Sequence, residues 1–322
     1  MNRLTGRPSA ANTARMDDAA PPQDAMATAL ADARSPEAPP DETSSAFRLV
    51  RPTGAVITPV ICASPHSGRI YPAAMMAASQ LDRRAIRRSE DAHVDELIAA
   101  APDFGHSLIA AQFARAYLDV NREAWELDPA MFEDELPAFA KARTARVAAG
   151  LGAIARIVCE GQEIYARKLT FADAEGRVQR VHQPYHAALA ALIAEAKAAR
   201  GVAILIDWHS MPAAACTRGG EGCDMVLGDR FGAACSSAVT GLVERELMAM
   251  GYRVARNNPY AGGYTTEHYG RPGRRQHALQ IEINRALYFD EAALQLTAGF
   301  AALKRNLERL FEALAAQDWS RL

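Results

Sequence analysis

Several short stretches of this 322-residue chain combine side chains that can bind a metal or move a proton. His66 sits in Ser64-Pro65-His66-Ser67-Gly68, and Asn121-Arg122 closes the run 107–120. Asp207 and His209 close the run 202–207, and Glu282, Asn284 and Arg285 come at the end of the run 277–283. Two histidines and one carboxylate are the usual protein ligands of a hydrolytic zinc, which keeps an open position for water. A further glutamate serves as general base toward that water, and an arginine clamps a substrate carboxylate through two parallel hydrogen bonds. His66 and His209 suit the metal, Glu282 the base and Arg122 the clamp. The acidic ligand is sought in Ser89-Glu90-Asp91-Ala92-His93-Val94-Asp95-Glu96, where helical spacing puts Asp91 and Asp95 on one face. Asp91 is the first choice, with Glu90 and Asp95 behind it.

Each of these residues has a plainer alternative. Arg122 follows Asp119 closely enough to be its ion-pair partner. Glu282 shares a strand face with Gln280 and Asn284, so a polar cluster competes with catalysis. A carboxylate between Ile281 and Ile283 is nevertheless costly to bury without a partner or a task. His182 and His186 have the spacing of a metal pair, but Pro184 between them is expected to open a helix. On that reading His182 precedes the helix and is structural, whereas His186 falls in its first turn and lines the site. Residues 258–264 (NPYAGGY) contain Gly262 and Gly263, which permit close approach of backbone to a ligand. With Arg271, Arg274 and Arg275 nearby, this stretch reads as a substrate loop, against an ordinary connection with a solvated charge run.

Something must carry these groups to one place. Apolar runs predict strands at 55–63, 107–120 (as one or two), 202–207, 225–227, 252–255 and 277–283. Helical spacing predicts helices at 81–101, 143–167, 184–200, 237–250 and 291–315, with an acidic loop at 123–137. Strands that alternate with helices and are almost wholly apolar imply an α/β fold, a mainly parallel or mixed sheet with helices on both faces. In such sheets the C-terminal ends of the strands line the ligand crevice. Each strand then delivers one reagent to a shared site.

The remaining composition narrows the class. Net charge is −2, and no basic stretch is interleaved with aromatics, which argues against nucleic acid. No apolar run reaches the length of a membrane span. The five cysteines include no Cys-x-x-Cys pair, which suits a reducing cytoplasm better than a disulfide scaffold or a zinc knuckle. Residues 1–45 hold six prolines and no Val, Ile, Phe, Tyr, Trp or Cys, so they are expected to be disordered. The stretch 25–33 is too broken by Thr28 and Asp32 for the apolar centre of a secretory signal. Residues 46–322 are expected to form a single α/β domain.

The ordered segments SPHSGRIYP, SEDAHVDEL, YLDVNR, QPYHAAL, LIDWHSMP, NNPYAGGYTTEHYGRP and IEINRALY resemble the N-formylglutamate amidohydrolases over about residues 55–288. That resemblance implies a zinc-dependent hydrolase on a phosphorylase/hydrolase-like fold, related to zinc carboxypeptidases and aminoacylases. It implies hydrolysis of N-formyl-L-glutamate to formate and L-glutamate, in histidine degradation. On the carboxypeptidase pattern His66 and His209 match the metal histidines, Arg122 of the Asn121-Arg122 pair the carboxylate clamp and Glu282 the base. His186 belongs to the PYH segment, and Arg285 or the arginines at 271–275 could assist the clamp. The usual glutamate three residues after the first histidine is absent, since Arg69 stands there. The rivals are a related N-acyl amino acid deacylase or amidase, and a non-catalytic binding protein on the same fold. Serine catalysis is a weaker option, because Ser210 lacks a Gly-x-Ser-x-Gly setting. The expected partner is a small N-acylated acidic amino acid.

Overall fold

Strands β1 (Phe47–Val50), β2 (Val60–Ser64), β3 (Ser107–Ala111), β4 (Ala203–Met211), β5 (Met225–Gly228), β6 (Val254–Arg256) and β7 (Gln276–Asn284) form one sheet in the order β1-β3-β2-β4-β7-β5-β6. The structure is a computed structural model that describes residues 44–54, 57–158, 161–216 and 222–322. The expectation for the N-terminal segment therefore falls almost wholly outside the described residues. The four middle strands β3, β2, β4 and β7 are parallel, while β1 and β5 pair antiparallel with β3 and β7, so the sheet is mixed. Helices cover both faces, as the apolar runs require.

The pleat explains how apolar strands come to carry polar groups. Successive side chains of a strand point to opposite faces. On one face, Ile61, Ala63, Ala203, Leu205 and Ala278 pack into a core under the helix Gln183–Arg200. On the other, Cys62, Ile204, Ile206, Trp208, Leu279, Ile281 and Ile283 pack under Ser237–Ala249 and Gly299–Ala316. The first face turns polar along its length: Leu205 is followed by Asp207 and His209, and Ala278 by Gln280 and Glu282. β4 and β7 pair without interruption from Ala203↔Gln276 to Met211↔Asn284, which sets His209 opposite Glu282. β4 thus continues through the reactive residues instead of stopping at Asp207.

Four helix boundaries differ from the expectation. Residues 81–101 do not form one helix but two short ones, Arg83–Arg87 and Val94–Leu97, followed by a 3-10 turn Ala101–Phe104. The break lies at Asp91, whose N–H bonds to the His66 carbonyl at 3.0 Å instead of continuing the helix, and His93 is left-handed at φ 59°. Among the described residues of 143–167 the α-helix is confined to Ala145–Ala148. Gly150 follows it at φ +76°, and Gly152 lies so close to the Glu126 carbonyl that a Cβ there would sit 2.3 Å from its oxygen. The helix around Pro184 starts earlier, at Phe171, and runs through a π-type turn Val178–His182 into Gln183–Arg200. Proline lacks the N–H and crowds the preceding turn, and the wider winding accommodates both. The closing helix begins at Gly299, after a small hairpin of β8 (Phe289–Asp290) and β9 (Gln295–Leu296). Beyond Ala111, the stretch to Val120 forms no second strand but a succession of turns.

Candidate active site

His66 follows β2, Asp91 occupies the break between two short helices, and His209 lies within β4. Their ligating atoms all fall within 4.8 Å of one another, and all three residues are buried. Asp91 Oδ2 is 3.3 Å from His66 Nδ1 and 3.0 Å from His209 Nδ1. The far nitrogen of each ring faces a second carboxylate: His66 Nε2 is 2.6 Å from Asp119 Oδ1, and His209 Nε2 is 3.0 Å from Asp207 Oδ2. Both imidazoles thus turn Nδ1 toward Asp91 and Nε2 toward a second acid, the arrangement that orients histidine toward a metal.

The electrostatics fit a cation at this point. Burial alone would raise the Asp91 carboxyl, but the His209 and His66 rings beside it outweigh burial and hold the group well below its ordinary range. Burial would likewise lower His209, yet Asp207 and Asp91 raise it well above the usual value. The pair of acids therefore demands positive charge on that ring or beside it. His66 Nδ1 is buried and faces Asp91 Oδ2 at 3.3 Å, with no hydrogen bond of good geometry among the described residues, a costly state that a bound cation would relieve. Two imidazole nitrogens and a carboxylate oxygen form a donor set suited to zinc.

Glu90 and Asp95, the alternatives to Asp91, are used elsewhere. Glu90 accepts from the Tyr71 hydroxyl and from Arg87, and Asp95 pairs with Arg69. Arg69 also bonds Glu96, so the residue standing where a ligating glutamate was looked for fastens down the helix beside Asp91.

The three residues line a cavity of about 680 Å³, together with Asn121, Arg122, Gly262, Gly263, Glu282 and Arg285. Burial pushes the Glu282 carboxyl up to about 7 against the pull of His209, with Asp91 adding to the rise. Its Oε1 accepts from Gln280 Nε2 at 2.8 Å, and Gln280 Oε1 in turn accepts from Gly263 N–H. Glu282 therefore belongs both to the polar cluster weighed as its alternative and to the cavity.

Arg122 gives Nε–H to the Leu151 carbonyl and Nη1–H to the Asn121 carbonyl, with its Nε 4.0 Å from Asp119 Oδ2. Asn121 Oδ1 accepts from Thr265 N–H at 2.7 Å, and Asn121 Nδ2 lies 3.4 Å from Asp207 Oδ2. A Cβ on Gly263 would come within 2.6 Å of Asn121 Nδ2, so glycine is required where the loop meets this side chain. Gly262 adopts φ +117°, a conformation that disfavours any other residue.

Two expected substrate contacts sit differently. Arg285 donates to Asp91 Oδ1 at 3.1 Å and to Ser210 Oγ at 3.0 Å, and pairs with Glu291. Its guanidinium is engaged in holding Asp91. His186 is not part of the cavity wall; it stands behind the Asn121 turn, with contacts to Val120 and Tyr269. His182 lies in the helical winding rather than before it, and bonds the Arg122 carbonyl.

Sequence reasoning missed the roles of Asp119 and Asp207. The two-residue spacing of Asp207 and His209 on one strand was a usable signal, since it puts both on one face. Asp119 had none, being 53 residues from the ring it orients. Arg115, which bonds Asp119 Oδ2 at 2.8 Å and lines the cavity, was missed as well.

The model of the N-formylglutamate amidohydrolase family matches residues 58–289. The chain belongs to the N-formylglutamate amidohydrolase family. It is 30% identical over 270 residues to an N-formylglutamate deformylase of Pseudomonas aeruginosa, covering 82% of this chain and 94% of that protein. It is similar also to an N-formylglutamate deformylase of Pseudomonas putida, at 26% identity over 72% of this chain and 82% of the relative. The crystal structure of an N-formylglutamate amidohydrolase from Ralstonia eutropha JMP134 superposes with a TM-score of 0.82 at 39% identity, covering 87% of this chain and all (100%) of that one. A gene product of Agrobacterium tumefaciens, Atu2144, shares the fold at a TM-score of 0.61 and 16% identity, over 85% of this chain and 96% of its own. Six of the seven family segments singled out in the sequence contribute residues to the cavity, and QPYHAAL, with His186, packs behind it.

Proposed function

We propose that this protein hydrolyses the formyl amide of N-formyl-L-glutamate to formate and L-glutamate. The observation that supports it most is the buried His66–Asp91–His209 group beside Glu282 in an arginine-lined cavity, in a chain of this family. His66, Asp91 and His209 would hold one divalent metal, zinc on this reading. Bound there, it would supply Lewis-acid polarisation of the formyl oxygen and a lowered pKa for water.

The protein's own groups do the rest. Asp119 and Asp207 keep the two imidazoles in the Nε2–H tautomer. Glu282 takes a proton from the attacking water and returns it to the glutamate nitrogen as the C–N bond breaks. Its burial makes the carboxylate basic enough for that exchange. Arg122 holds a substrate carboxylate and fixes the amide near Glu282. Arg285 and Ser210 keep Asp91 in place. A role in histidine degradation and a cytoplasmic location go with this reading. Among the described residues no helix is long and apolar enough to cross a membrane.

The direct test is stoichiometric release of formate and L-glutamate from N-formyl-L-glutamate by purified protein of measured metal content. Turnover that is absent from zinc-loaded protein, or unaffected by stripping the metal, would remove this reading.

A further inference from the structure

The side chains of Asn121 and Arg122 face the cavity, but the backbone of their turn is gripped from behind. His182 Nε2 lies 2.9 Å from the Arg122 carbonyl oxygen, and His186 Nε2 lies 2.8 Å from the Val120 carbonyl oxygen. A carbonyl only accepts, so both rings must present Nε2–H. The Tyr269 hydroxyl donates to His186 Nδ1 at 2.9 Å and fixes that ring's tautomer. The two rings contact each other with centroids 4.3 Å apart, and the His186 ring stacks on Tyr269. The two donors thus straddle Asn121, one residue to either side, while Thr265 N–H fastens its side chain.

We propose that His182 and His186 are positioning residues that set the Val120–Arg122 turn, and through it Arg122, for the substrate carboxylate. This rests on Arg122 being the carboxylate clamp. Each Nε2 is taken up by a carbonyl, and His186 Nδ1 by the Tyr269 hydroxyl. Desolvation lowers both rings and takes His186 down to about 3, which favours the neutral imidazoles that this bonding uses. The i, i+4 spacing across Pro184 gains a purpose: the π-type turn that accommodates the proline leaves both rings facing the same loop. A small displacement of a substrate-binding group costs rate or affinity out of proportion to the single hydrogen bond whose removal causes it.

The test uses two near-isosteric halves of imidazole. Gln places an amide N–H about where Nε2–H was; Asn places it near Nδ1, out of reach of the carbonyl. In metal-loaded full-length protein, His186→Asn should raise KM for N-formyl-L-glutamate about tenfold, with kcat within about threefold, the loss left by an unsatisfied buried carbonyl. The affinity for L-glutamate, read by calorimetry, should weaken in parallel, and metal content should hold. His186→Gln should recover KM to within about threefold of the parent. The same contrast should hold at His182. If Asn and Gln variants behave alike, or if kcat, metal and Tm fall together without rescue by Gln, the histidines are merely structural and the proposal fails. Arg122→Lys serves as the reference: if it shifts KM while the His186 pair does not, only this proposal falls. If Arg122→Lys leaves KM unchanged, the clamp reading fails and takes the proposal with it.

Discussion

At the scale of a single residue, the proposed reaction turns on Glu282 as general base. Its carboxyl is buried, raised to about 7 and hydrogen-bonded by one side-chain amide, Gln280. Glu282→Gln keeps the shape and can keep a hydrogen bond but removes the proton transfer. Turnover should fall about 10²- to 10⁴-fold, the usual contribution of a general base, with metal content and L-glutamate affinity retained. Loss of metal in this variant would make Glu282 a ligand instead, and near-parental turnover would exclude it as the base. Residue type pointed to this position: an acid amid Ile281 and Ile283 needs a partner or a task, and Gln280 supplies a partner. What residue type could not tell is which acid joins the histidines. Glu90, Asp91 and Asp95 are chemically close, and only the partners Tyr71, Arg87 and Arg69 divert two of them.

At the scale of elements, the strands were legible and several helices were not, for a physical reason. β2, β4, β5 and β7 are buried on both faces, so composition alone marks them. The stretches 81–101 and 143–167 have helical spacing and yet break, because their backbone is needed at the cavity: one delivers Asp91, the other forms a wall with Leu151, Ala155 and Ile157. Local propensity is overridden where function requires an irregular backbone. The closing helix Gly299–Ala316 is tied to the start of β3 by His106, whose Nε2–H donates to the Phe311 carbonyl at 3.0 Å while Nδ1 accepts from the Thr58 hydroxyl. Burial lowers this histidine to about 4. The unfolded chain therefore binds the proton first as pH falls. The stability held by neutral His106 is complete above about 6.5 and is lost from there down toward 4, of order 3 kcal/mol. Tm should decline over that window, and His106→Gln, which keeps a donor but cannot titrate, should flatten the decline. His186, lowered further, adds a slope of the same sign, so the variant flattens the curve without levelling it. An unchanged Tm–pH profile in His106→Gln would show that the tie carries no such linkage.

At the scale of the whole molecule, the site draws on β2, the break before Val94, the turn after Val120, β4 and β7, so its contents bear on global stability. A metal held by His66, Asp91 and His209 would balance the charges buried there and occupy His66 Nδ1. A ligand that binds only the folded state adds to its stability. Treatment with a chelator should therefore abolish turnover and lower Tm together, and zinc should restore both. Equal Tm and turnover before and after chelation would show that no metal resides there. The pairing of β4 with β7 has a consequence for how the gene can change. Nine consecutive rungs link the buried ends of these strands to His209 and Glu282, and side chains alternate faces at every step. The loss or gain of a single codon near Ala203 shifts the pleat by one residue and offers Trp208 to the cavity in place of Asp207 and His209. Point substitutions can explore this sheet one side chain at a time, whereas insertions and deletions are tolerated only in the loops beyond the strand ends, where variation in substrate preference is free to accumulate.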